Sequence, residues 1–140
     1  MIDPTTDSLY SALPQYLLDL RTPRIEFPTW PFDVIPALIE AARAVGLVNR
    51  GGDLQILALS SMARGESQMG VWVHERDLRA VAISERADLS ARIALDQYRH
   101  LGGYDVLVAE AMAGWGQYMH PDPAMRHQEL FFEWRLETPE

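Results

Sequence analysis

The sequence predicts an α+β fold, an antiparallel sheet of about four strands packed against helices on one face. Three observations carry this. Ile35, Leu38, Ile39, Ala42 and Val45 recur at helical spacing and form one apolar face. The stretches DLQILALS, MGVWVHE and LFFEWRLE read instead as strands, the last with strict alternation of apolar and charged residues. Glycine pairs at 51-52 and 102-103 punctuate the chain between such segments.

Taken in order, Asp7 and Ser11 are candidate N-caps for a first helix reaching Leu20, with Leu13, Tyr16, Leu17 and Leu20 at helical spacing. Pro14 fits that helix when Ser11 is the cap, because the first turn tolerates proline. RTPRIEFPTWPF follows, and Pro23, Pro28 and Pro31 each forbid a helix interior. It reads as an extended arm that packs through Ile25, Phe27, Trp30 and Phe32. Asp33 is placed to cap the next helix, with Pro36 in its first turn. Gly46 suits the left-handed position that ends it, and Leu47 supplies the accompanying apolar contact.

Gly51-Gly52 reads as a chain reversal. DLQILALS is then a mostly buried strand, SMARGESQ a connecting loop, and MGVWVHE a second strand in which Val71 and Val73 face opposite to Trp72 and His74. A turn near Arg76-Asp77 leads to a third strand over 79–83. Ser84 or Asp88 opens a helix to Leu101 with Ala91, Ala94, Leu95 and Tyr98 on its apolar side. For 106–119 helix and strand both stay open: Val108, Ala111, Met112, Trp115 and Met119 suit a helix, whereas early valines and two glycines oppose it. LFFEWRLE sets Leu130, Phe132, Trp134 and Leu136 against Glu133, Arg135 and Glu137, a strand added at the sheet edge.

A length of 140 residues predicts a single domain, 1–140, able to bury a core without staples. The formal net charge of -8 disfavours nucleic acid and anionic membranes as partners and favours a basic protein surface. All 12 basic residues are arginine, so Schiff-base and phosphate-loop lysine chemistry is absent. No cysteine is present, which removes disulfides, thiolate nucleophiles and cysteine–zinc sites and suits a reducing compartment. MIDPTTDSLY lacks the basic and apolar regions of a signal peptide, and no apolar run approaches the ~20 residues of a membrane span. The expected location is the cytoplasm.

Candidate chemistry centres on HPDPAMRHQE. His120 and His127 stand seven apart, two helical turns, too far for one metal ion. Asp122-Pro123 is itself a helix start, which separates them further. His120-Pro121-Asp122 matches the tripeptide with which J-domains dock on an Hsp70 chaperone. That docking needs a basic helix upstream, and here no arginine occurs between Arg99 and Arg126. No serine-nucleophile elbow or phosphate loop occurs either. No metal, no cofactor and no catalytic residue is therefore assigned.

The reading that remains is binding. Most of 20 carboxylates must face solvent, and four Trp with five Tyr offer amphipathic anchors. Trp72 alternates with core valines, so it faces away from the core beside His74, Glu75 and Asp77 or packs beneath a helix on the other face. With Glu85 these residues, Trp72, His74, Glu75 and Asp77, are the candidate partner-binding set. The segment ARAVGLVNRGGDLQIL, 42–57, resembles the helix–GGD–strand region of small acidic immunity proteins of bacterial toxin systems. The resemblance implies a protein that binds a cognate, often basic, toxin domain and blocks its active site. Two other expectations stand beside it. A pocket holding convergent titratable groups would mark a small metal-independent enzyme or ligand-binding domain. A stable homo-oligomer would mark a phage or structural assembly component.

Overall fold

The computed structural model describes residues 9–21, 28–59 and 64–140. It has the expected α+β architecture, and its sheet is antiparallel. Helix α1 (Gln15–Leu20) precedes strand β1 (Thr29–Pro31) and a short 3-10 turn, Phe32–Val34. Helix α2 (Ile35–Ala44) leads into the long strands β2 (Val48–Leu57) and β3 (Arg64–Trp72). Helices α3 (Glu75–Arg79), α4 (Ile83–His100) and α5 (Tyr104–Trp115) follow. Two 3-10 segments, Gly116–Tyr118 and Pro123–Glu129, return the chain to β4 (Leu130–Glu133) and β5 (Arg135–Glu137).

α2 forms as its sequence dictates. Ile35, Leu38, Ile39 and Ala42 are buried, with Pro36 in the first turn. The helix ends in a Schellman motif, in which Leu47 N donates to the Ala42 carbonyl, Gly46 N donates to that of Arg43, and Gly46 takes φ 78°. Two details differ. Val34, not Asp33, holds the N-cap position, because the preceding 3-10 turn already contains Asp33; Val45 is exposed beyond the last buried turn.

The strand order is β1-β4-β2-β3, with β5 also paired to β2. LFFEWRLE is an added edge only in its second half: β4 lies between β1 and β2, whereas β5 pairs with β2 alone among the described strands. The strand breaks at Trp134, whose backbone N–H turns aside to the Pro28 carbonyl. Its alternation survives the break, since Leu130, Phe132, Trp134 and Leu136 are all buried.

Gly51-Gly52 is not a chain reversal. Both residues lie inside β2 because strands press on it from both sides. A Cβ on Gly51 would stand 1.9 Å from the Val71 carbonyl oxygen, and one on Gly52 would stand 1.6 Å from that of Glu133. Gly51 also has φ 96° where the β2–β5 register shifts, a bulge that glycine permits. Part of the expected loop SMARGESQ is strand too, as β3 begins at Arg64.

The expected strand over 79–83 is a correction of a different type. Its residues fall at the end of α3, in a turn, and at the start of α4. A strand there would bury nothing: Ile83 is exposed and Val81 only half-buried, whereas Leu78 in α3 is buried. α4 starts without a side-chain cap after Ala82, not at Ser84 or Asp88. Residues 106–119 are helix α5 followed by a 3-10 turn, not strand, and bury Leu107, Ala111 and Met119. At the N-terminal end, α1 starts after Pro14 and Ser11 does not cap it. Leu13 and Leu17 are buried but Tyr16 and Leu20 are exposed. Asp7, Ile25 and Phe27 lie outside the described residues.

Asn49, fully buried in β2, ties the layers together. It accepts from the Trp134 indole (2.9 Å), donates to the Ile39 carbonyl (3.1 Å), and its backbone N–H donates to Ser90 Oγ of α4 (2.9 Å). Small residues on α4, namely Ser90, Ala91 and Ala94, let this long helix lie close against the sheet.

Candidate partner interface

Register decides which side chains share a face of the sheet. Leu54 pairs with Phe132 and Ile56 with Leu130, all buried against the helices. Alternation then turns Asp53, Gln55, Glu66 and Phe131 to the other face, since Gln55 pairs with both Glu66 and Phe131. Trp72, opposite Gly51 at the end of β3, stands on this same face.

Trp72 is 42% exposed, so of its two expected environments the open one is found. The guanidinium of Arg135 lies over the indole, 5.8 Å from the ring centroid. Arg135 Nε donates to the Glu133 carboxylate at 2.8 Å. Asp53 lies in the same field: burial first, then the Glu133 and Glu66 charges, hold its carboxyl above the ordinary range, and Arg135 only partly offsets them. Glu133 raises the Arg135 guanidinium in turn, chiefly through their hydrogen bond. Arg135 thus faces several carboxylates near Trp72, of which Glu133 is buried, while Arg64 stands on the same face at the far end of β3.

The other expected binding residues lie elsewhere. His74 is exposed at the N-cap of α3 and makes no side-chain capping bond. Glu75 pairs with Arg79 at 2.8 Å and lines a crevice with Arg50 and Arg86. Asp77 is half-buried within α3. Glu85 is exposed in the first turn of α4 and lines a separate cleft with Arg43, Asp88 and Arg92. Sequence reasoning missed Asp53, Glu133 and Arg135, because only strand pairing gathers them near Trp72; Glu66 lies further along β3, opposite Gln55.

HPDPAMRHQE is a wired turn. Asp122 caps the 3-10 segment by accepting from Ala124 N at 3.0 Å, and His120 Nδ1 accepts from Asp122 N at 3.0 Å. The buried Glu129 carboxylate accepts from the backbone N–H groups of His120 and Leu59, each at 2.7 Å. His127 points elsewhere: its ring meets Tyr104 edge-on at 5.6 Å. Both line a cleft of about 400 Å³ with Asp33, floored by Pro31, Val34 and Leu130. Burial first, and then the Asp33 charge, raise the Tyr104 hydroxyl above its ordinary range. Among the described residues no three of His, Asp and Glu lie close enough to hold a metal ion.

Fold and surface define a class: an α+β protein whose antiparallel sheet carries charged residues and an exposed tryptophan on the face turned from the described helices. No family model matches the chain, and neither a curated protein nor a solved structure matches it. Among the described residues no helix is long and apolar enough to cross a membrane.

Proposed function

We propose that this chain is an immunity-type protein that binds a basic toxin domain and blocks it with the sheet face around Trp72. The observation that carries the reading is an exposed indole fixed among Asp53, Glu133 and Arg135, in a chain of net charge -8. A large aromatic held in one position loses little freedom on binding, which suits an anchor at the centre of an interface. The carboxylates near it attract and orient a basic partner. The test is co-expression with the product of the adjacent gene. That product alone arrests growth, this chain rescues it, and Trp72→Ala weakens the complex by about 30-fold, the ~2 kcal/mol of a hot spot. Absence of rescue, or an affinity indifferent to ionic strength, sinks the proposal.

The cleft at Tyr104 favours a second reading, a small-ligand-binding domain. Its volume of about 400 Å³ lies within the range of small-molecule pockets, and Asp33, Tyr104 and His127 converge on an apolar floor. A fragment screen read by NMR expects saturable shifts at Tyr104 and His127 that Tyr104→Ala removes. A screen that moves neither residue eliminates this reading.

A further inference from the structure

Three of the twelve arginines, Arg50, Arg79 and Arg86, line one crevice of about 80 Å³ beside residues 137–140. At ~30 Å³ per water molecule in the liquid, this is room for two or three waters or one small oxyanion. Two of the three are neutralised. Arg50 pairs with Glu137 at 3.0 Å, and Arg79 pairs with Glu75 at 2.8 Å. Arg86 differs. Its Nη1 donates to the Pro139 carbonyl at 2.8 Å, and its Nε–H is buried without an acceptor among the described residues.

The Nε–H and Nη2 groups form the edge of a guanidinium that grips carboxylates and phosphates side-on. A buried donor without an acceptor is destabilising, more so on a cation. Glu85 and Asp88 flank Arg86 in sequence, yet neither pairs with it, and Asp88 bonds Arg43 instead. Among the described residues the only partner that Arg86 shows is a neutral carbonyl, which meets one nitrogen of a group suited to an anion.

We propose that Arg86, with Arg50 and Arg79 beside it, binds a small oxyanion, a carboxylate or phosphate group, and that residues 138–140 lie over the site as a displaceable strap. An incoming anion displaces the Pro139 carbonyl and satisfies the Nε–H edge that the strap leaves unmet. Glu75, Glu137 and Glu140 also line the crevice, so the three arginines are in excess only once residues 138–140 are displaced. The site shares no residue with the Trp72 surface and does not rest on the toxin reading.

The test is NMR titration of the full chain with inorganic phosphate and, separately, acetate at constant ionic strength. Saturable shifts are expected at the Arg86 Nε–H and at the Arg50 and Leu78 amides. Arg86→Lys, which keeps the charge but not the side-on edge, weakens binding about tenfold. Deleting residues 138–140, which removes the Pro139 carbonyl and the Glu140 side chain together, tightens it by about tenfold or more, the worth of one displaced hydrogen bond and one carboxylate. Thermal unfolding establishes that both variants remain folded. A response to phosphate alone or to acetate alone supports the site and identifies the anion. No saturable shift with either anion, in the native chain and the strap variant alike, overturns it. Undiminished binding by Arg86→Lys also overturns it, and unchanged affinity in the strap variant overturns the strap.

Discussion

The side-chain amide of Gln97 takes the place of a neighbouring strand at Trp72. Trp72 N donates to Gln97 Oε1 at 2.8 Å, and Gln97 Nε2 donates to the Trp72 carbonyl at 2.7 Å. β3, like β1, ends the order of the described strands, and an unpaired strand edge is a template for pairing with another chain. Trp115 covers the same strand further along, its indole donating to the Glu66 carbonyl at 3.3 Å.

Gln97→Ala is expected to cost ~1–3 kcal/mol for two lost hydrogen bonds and to make the chain self-associate through β3. Urea unfolding reads the first effect and sedimentation velocity the second. A variant that stays monomeric at high concentration with native stability would contradict this role.

Two glycines should respond in opposite directions to alanine. At Gly52 the new methyl group would collide with the Glu133 carbonyl, so Gly52→Ala forces β2 and β4 apart, costing on the order of 3 kcal/mol or more. At Gly114, inside α5, nothing lies within 4 Å of the added Cβ. Gly114→Ala should stabilise by about 0.5–1 kcal/mol through helix propensity and reduced freedom of the unfolded chain. Chemical denaturation of the pair checks both signs.

Glu129 ties the end of β2 to the turn at His120 by accepting two backbone N–H groups. Glu129→Ala leaves both donors without their acceptor and should cost about 3–5 kcal/mol. Glu129→Gln keeps one acceptor but turns an NH2 group towards a donor, so an intermediate loss is expected. Hydrogen exchange should show the Leu59 and His120 amides losing protection before the core strands do. Unchanged exchange at both amides would remove the clamp from the account.

Asp53 provides a pH test. Its carboxyl is raised in the folded state by burial and by the Glu133 and Glu66 charges, so the folded chain holds this proton more tightly than the unfolded chain. Stability is then lost as pH rises from the unfolded value through the folded one, and the loss is complete above it. Asp53→Asn should melt higher than the native chain at neutral pH and lose that advantage as the pH falls below the carboxylate range. An equal difference in melting temperature at pH 3 and pH 7 would rule out the charge as its cause.

Much of the architecture was legible where short-range physics decides. The apolar face of α2, its end at Gly46, the cap at Asp122 and the alternation of Leu130, Phe132, Trp134 and Leu136 each follow from residues within a few positions. The net charge was legible too. What the sequence could not locate was what lies across the sheet. Gly51-Gly52 looks like a turn until the carbonyls of Val71 and Glu133 press on it from two other strands. LFFEWRLE gives its periodicity but not its neighbours, so β4 was expected at an edge and lies inside the sheet. Asp53, Glu133 and Arg135 gather near Trp72, and Gln97 finds its backbone, only through pairings across tens of residues. Local spacing thus determined the buried face of α2 from Ile35 to Ala42 and the end of that helix, though not the exposure of Tyr16, Leu20 or Val45. Tertiary packing alone decided which polar groups meet, because those contacts depend on strand order and register, which no local pattern encodes.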